Sequence, residues 1–149
     1  MTDFTFHAGG CWRGSWDGSG RIKAGNLENV ISVDPSMGGA GTGTNPDELL
    51  LSALSSCYMI TLGIRLHKEN IVYDHISIQS EGSVTKKGGL HFESVTHRPI
   101  ICLSGQITDH LRERLSFCIR QAEKDCMIAK AVHGNVRINV APRFETVTG

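Results

Sequence analysis

The spacing of apolar and polar positions changes several times along the chain, and each change marks an element. Phe4 to Trp12, Gly20 to Lys23 and Leu27 to Val33 read as three short strands, joined by the turn signals Asp17-Gly18-Ser19-Gly20 and Gly25-Asn26. Met37-Gly-Gly-Ala-Gly-Thr-Gly43 follows as a flexible connector. A long helix then starts sharply: Asn45 can cap it, Pro46 suits the first helical position, and Asp47 and Glu48 put negative charge in the first turn. Leu49, Leu50, Ala53, Leu54, Cys57, Ile60, Leu62 and Ile64 leave it little room for a solvated face. Such a helix is expected inside the molecule or inside an oligomer.

Beyond it, Ile76 and Ile78 alternate with Ser77, Gln79 and Glu81 as a strand, Lys86 to Gly89 makes a hairpin turn, and Leu90 to Leu103 returns. An irregularity is expected near Pro99, which cannot donate to a ladder. Ile107, Leu111, Leu115, Cys118, Ile119 and Ala122 form one stripe of a second helix, with Arg112, Glu113, Arg114 and Lys124 outside it. A short helix from about Cys126 to Val132 stops at Gly134, and Asn135 to Val140 is the last strand. This order defines an α+β fold rather than a doubly wound sheet. No repeat or linker divides the chain, so residues 1–149 are expected to form a single domain.

Composition narrows the function classes. Hydrophobic residues make up 40% and charged residues 20%, a globular balance. Lys plus Arg equals Asp plus Glu at 15 each, with no basic stripe, which argues against nucleic acid and anionic membrane as partners. Leu49 to Leu66 is interrupted by Ser52, Ser55, Ser56, Thr61, Gly63 and Arg65, so a buried helix is expected there rather than a membrane span. Met1-Thr-Asp-Phe-Thr-Phe lacks the features of a signal peptide, and a cytoplasmic location is the expectation. Five cysteines fit a reducing compartment better than a disulfide framework.

Two of these cysteines are candidates for chemistry. Cys57 lies mid-helix among apolar neighbours, where burial alone makes a thiol inert; taken by itself it reads as a core residue. Cys126 follows Glu123-Lys124-Asp125 at a helix start, where free amides and the helix dipole favour a thiolate. Cys118 and Cys102 sit in apolar runs, and Cys11 beside Trp12 reads as strand core. The seven histidines show no metal-binding spacing, and no phosphate loop or nucleophile elbow occurs, so neither a metal nor a cofactor is expected.

The segment Gly43-Thr-Asn-Pro-Asp-Glu-Leu-Leu-Leu-Ser-Ala-Leu-Ser-Ser-Cys-Tyr58 resembles one signature of the OsmC/Ohr family of organic hydroperoxide reductases. Ala122-Glu-Lys-Asp-Cys-Met-Ile-Ala-Lys-Ala131 resembles the second, although that family usually has Pro where Met127 stands. The resemblance implies an OsmC-like fold, antiparallel sheets packed on a central buried helix, in an intertwined homodimer. It also implies a peroxidase cycle. The Cys57 thiolate attacks an organic hydroperoxide, Cys126 condenses with the sulfenic acid, and an external dithiol, of lipoyl type in related enzymes, restores both.

The family further uses an acid and an arginine. By spacing the acid is Asp47, about 15 Å along the helix axis from Cys57, so an arginine or a second subunit must bridge them. The arginine's usual place, counted from Trp12, holds Trp16; Arg13 is the candidate, with Arg21 and Arg98 as alternatives. That departure keeps two rival readings open: an OsmC-like protein that holds a small hydrophobic ligand, and a thiol redox sensor.

Overall fold

The computed structural model describes residues 3–147, which fall into two compact units that meet in sequence between Leu50 and Leu51. In the first unit, β1 (Gly9–Arg13), β2 (Ser19–Ala24) and β3 (Leu27–Ile31) form an antiparallel meander. Gly20 is required where β2 passes Trp12. A Cβ there would lie 2.2 Å from the Cys11 carbonyl oxygen and 2.9 Å from the indole ring. The first strand starts at Gly9 rather than Phe4, and all of it is exposed. Cys11, expected in a strand core, is therefore exposed: a three-stranded sheet this short has nothing within its unit to cover that strand.

The glycine-rich connector is ordered by hydrogen bonds rather than free. Asp34 accepts from the Ser36 amide at 2.9 Å, and the Ser32 hydroxyl and Thr42 backbone exchange two bonds of 2.8 Å. Gly39 packs so closely on Val33 that any side chain would collide with its carbonyl. The loop delivers Asn45, whose side-chain oxygen accepts from the Glu48 amide at 2.8 Å as an N-cap. The Thr44 hydroxyl donates to Glu48 at 3.0 Å. From there α1 runs Pro46–Lys68, and Asn70, in the left-handed region at φ 57°, ends it.

In the second unit β5 (His91–Leu103) is the central strand. On one side it pairs antiparallel with β4 (His75–Thr85). On the other it pairs parallel, first with β6 (Arg137–Val140) and then with β7 (Arg143–Thr146). Beside the antiparallel pairings expected from the sequence, β6 and β7 thus add two parallel ones. The chain reaches β6 through α2 (Asp109–Asp125) and α3 (Met127–Val132), and a helical crossover returns a strand parallel. β7 was not foreseen from sequence, because four residues behind Pro142 carry too little alternation.

Pro99 causes no irregularity. The His97 carbonyl accepts from Ala141 at 2.8 Å, so the period-2 rule turns the Pro99 nitrogen to that same side. There the chain steps from β6 to β7, and no ladder bond is lost. The register shift lies instead at Ser83/Val84.

Leu54, Tyr58, Leu62 and Leu66, four residues apart, form the buried stripe of α1. Tyr58, Leu62 and Leu66 pack with Ile101 and Leu103 of β5 and with Leu115, Cys118, Ile119 and Ala122 of α2. Within the single chain α1 is not covered all round: Ile60 is 64% and Ile64 51% exposed. One sheet and one neighbouring helix shield one stripe, not a cylinder. By length and composition α1 is apolar enough to cross a membrane, but this stripe is engaged with the sheet and α2. Arg65 ties the end of α1 to the end of α2 through Asp125 at 3.0 Å and also reaches Glu69 at 3.5 Å.

Leu62 is fully buried. Leu62→Ala is expected to lower the unfolding free energy by about 2–5 kcal/mol, read as a shift of the urea midpoint at constant slope.

Candidate active site

Two helices meet end to end at Cys126. Its N–H donates to the Ala122 carbonyl at 3.0 Å and closes α2, while its carbonyl accepts from Lys130 at 3.0 Å and opens α3. Between these bonds its backbone turns extended, at φ −62° and ψ 109°. The break aims the first amides of α3 back at α1, and the sulfur they meet is that of Cys57.

Burial raises the Cys57 pKa, but the hydrogen bonds around it outweigh that cost and leave it below the ordinary thiol value. Its donors are the Ile128 amide, the Cys126 thiol, the Thr61 hydroxyl and the Met127 amide; Thr61 Oγ1 lies 3.9 Å from Sγ. Cys126 is buried and differs. Desolvation pushes it up to about 11 despite the Ala129 amide, and a thiolate at Cys57 opposes a second charge beside it. The expectation that the start of α3 favours a thiolate at Cys126 is thus corrected in its direction. Amides of α3 reach both sulfurs, but Cys57 is half-buried while Cys126 is enclosed, and desolvation decides the direction at Cys126.

Two further side chains complete the site, and sequence reading passed over both. The Tyr58 ring stacks on the buried His97 ring, with centroids 5.3 Å apart and planes at 23°. The Tyr58 hydroxyl donates to the Ile119 carbonyl at 3.4 Å. Burial, then Glu123 and Cys126, hold the phenol well above its usual pKa, so it stays protonated. His97 Nδ1 lies 2.6 Å from the Ser80 hydroxyl, and desolvation lowers the pKa of the ring. The alternation of Val95, His97 and Pro99, all buried, was the available signal for His97. A cavity of about 570 Å³ borders this group, lined by Tyr58, His97 and Cys126 among others.

Of the residues named from sequence, the structure brings Cys57 and Cys126 together. Asp47 lies half-buried in the first turn of α1, and Arg13 lies exposed on β1, opposite Ser19; neither forms an ion pair among the described residues. Arg21 faces Glu28 at 3.5 Å. Arg98 is exposed and, by strand alternation, on the face of β5 away from His97. Cys102 and Cys118 are buried. Among the described residues no cluster of three or more His, Cys, Asp or Glu is placed to hold a metal.

Paired cysteines at the junction of two helices, on a mixed α+β framework, define the class of protein. The chain belongs to the OsmC-like protein family, whose model matches residues 39–141. It is 35% identical over 142 residues to the uncharacterized protein YmaD of Bacillus subtilis, covering 94% of each chain. An OsmC-like protein from Mycoplasma pneumoniae superposes with a TM-score of 0.78 at 16% identity, over 97% of this chain and 99% of that one. The organic hydroperoxide resistance protein OhrB of Bacillus subtilis superposes with a TM-score of 0.70 at 25% identity, over 94% and 98%.

Met127 occupies the position where the related signature has Pro, and its N–H is one of the donors to Cys57. Met127→Pro removes that donor while keeping a residue suited to the start of a helix. Alkylation of Cys57 by iodoacetamide near neutral pH should slow by up to about five-fold, the worth of one hydrogen bond of about 1 kcal/mol.

His97 yields a pH dependence. The fold removes the ring from water, so its folded pKa lies below the unfolded value of 6.5. The unfolded chain therefore takes up this proton first as pH falls. The stability tied to neutral His97 is complete above about pH 6.5 and declines as pH drops towards the depressed folded value. The urea midpoint should fall between pH 7 and 5, with a flatter profile in His97→Gln.

Proposed function

We propose that this protein is a thiol-dependent peroxidase that reduces organic hydroperoxides to alcohols. The observation that carries the reading is a polarised thiol at Cys57, hydrogen-bonded by the first amides of α3 and in contact with a second thiol at Cys126. The Cys57 thiolate attacks one peroxide oxygen, the O–O bond breaks, and the alkoxide leaves and takes up a proton as the alcohol. Cys57 is left as a sulfenic acid. The Cys126 sulfur displaces its hydroxyl as water to form a disulfide, and an external dithiol returns both sulfurs to the reduced state while being oxidised itself. An apolar surround favours an organic peroxide over hydrogen peroxide, since the organic tail gains by leaving water. The hydroperoxide-resistance name of the OhrB relative supports the same substrate class.

The working unit in this proposal is a homodimer in the cytoplasm. Ile60 and Ile64 form an exposed apolar strip on α1 that a second copy would cover. Asp47 and Arg13 are the proposed acid and cation, whichever copy supplies them. Arg13 is favoured because Arg21 is already engaged with Glu28 and Arg98 faces away from the thiols. Trp16 in the arginine's usual place favours a second reading, a ligand-holding or redox-sensing protein that reacts with peroxide about once rather than turning over.

Steady-state turnover of cumene hydroperoxide with a dithiol decides between them. The wild type should consume many equivalents and prefer cumene hydroperoxide to hydrogen peroxide. Cys57→Ser should abolish consumption with the fold intact. Cys126→Ser should lose turnover and, with excess peroxide oxidising the unresolved sulfenic acid further, accumulate sulfinic acid at Cys57. Consumption of a single equivalent by the wild type, or turnover retained in Cys57→Ser, would defeat the peroxidase reading.

A further inference from the structure

His97 is 1% exposed, and its two ring nitrogens stand differently. Nδ1 is held by the Ser80 hydroxyl at 2.6 Å, while Nε2 has no protein hydrogen bond among the described residues. Nε2 is not sealed away either, because among those residues the buried and unpaired side-chain atom is Arg65 Nε. The ring lines the cavity of about 570 Å³, so Nε2 opens onto that space. A polar atom deep in the fold without a partner gains when a guest supplies one. Around it, Ala129 of α3 and Ile138 and Val140 of β6 give the cavity an apolar side, beside the Tyr58–His97 stack. Lys124, in the last turn of α2, and Lys130, on α3, border the space and are exposed, so they mark its open end. They stand against one carboxyl, that of Glu123, whose pKa burial raises. Tyr58 and Cys126, both held protonated, and the neutral His97 ring add no charge. The lining is therefore cationic at its mouth, apolar along its side and polar but uncharged at depth.

We propose that this cavity is a binding site for a small carboxylic acid with an apolar body and a hydroxyl at its far end. The carboxylate lies by Lys124 and Lys130, the body against Ile138 and Val140, and the hydroxyl meets His97 Nε2. The order of the groups follows from desolvation. A carboxylate is costly to take out of water, so it stays at the exposed end among ammonium groups. Reversed, it would sit on a neutral ring with no charge to offset that cost. The deep position calls for a hydroxyl in particular. When the Ser80 hydroxyl donates to Nδ1, Nε2 carries the ring proton and donates; when Ser80 accepts, Nε2 is bare and accepts. A ligand hydroxyl answers either tautomer, whereas a keto oxygen or an amine answers one. The volume falls within the roughly 300–1,000 Å³ of small-molecule sites. The guest is held by contacts alone and forms no bond to sulfur, so the site does not rest on the peroxidase reading.

The probe is 3-(4-hydroxyphenyl)propionate, titrated calorimetrically into the reduced full chain near pH 7. It should fill one site per chain. 3-Phenylpropionate, which lacks the hydroxyl, should bind about five-fold more weakly, the worth of one neutral hydrogen bond. Lys124→Gln/Lys130→Gln, at two exposed positions, should weaken the probe by about five-fold and leave its uncharged primary amide unaffected. In His97→Leu the preference for the hydroxylated probe should vanish. Should that variant fail to fold, nitrogen-15 spectra of the wild-type imidazole give the same answer: the His97 Nε2 signal should move with the probe and stay still with 3-phenylpropionate. Cys57→Ser should bind the probe as tightly as the wild type, whether or not either protein turns over peroxide. No saturable binding at millimolar probe overturns the proposal. So do equal affinities for the two acids with an unmoved Nε2 signal, or binding that is lost in Cys57→Ser.

Discussion

The site depends on one break in a helix. Had α2 continued through residue 126, the amides of Met127 and Ile128 would have been spent on carbonyls four residues back. Because the backbone turns extended at Cys126, α3 begins afresh with unpaired amides, and these hydrogen-bond Cys57. A thiol that burial alone would keep protonated is thereby moved the other way. No metal and no side-chain cation is needed for that shift in the described contacts, which are backbone amides, a hydroxyl and a second thiol.

Such a junction works only if the two helices it faces hold still. Arg65 supplies a clamp, reaching Asp125, the residue before Cys126, from two turns below Cys57 on α1. The Tyr58 hydroxyl fixes a second point against the Ile119 carbonyl, and the shared core of Leu62, Leu115 and Ile119 fills the space between. The residues that flank the thiols are thus mostly packing residues, and their effect on chemistry comes through the distance between two sulfurs. Tyr58 and His97 extend this framework to the sheet and line the cavity that borders Cys126.

The charge asymmetry between the two thiols follows from exposure as much as from hydrogen bonding. Each sulfur has amide donors, yet the enclosed Cys126 is held near 11 while half-buried Cys57 falls below the usual thiol value. Desolvation grows steeply as water is excluded, and the first thiolate to form raises the cost of the second. The two sulfurs are therefore distinguished by depth rather than by residue type.

Much of this was legible in the sequence. Asn45-Pro-Asp-Glu48 marked the start of α1, the stripe from Leu111 to Ala122 marked α2, and the Cys57 and Cys126 segments carried the family resemblance, because caps, periodicity and motifs are local properties of a chain. Other features were settled only by the fold. The parallel return of β6 and β7 to β5, the exposure of Ile60 and Cys11, and the partnership of Tyr58 with His97 all depend on contacts between residues far apart in sequence. The same limit reversed the reading of the thiols. Sequence placed Cys126 at a helix start and assigned the helix amides to it alone, but a hydrogen bond goes to whichever atom tertiary packing brings to the donor. Here packing brought Cys57 to the Ile128 and Met127 amides as well, and enclosed Cys126.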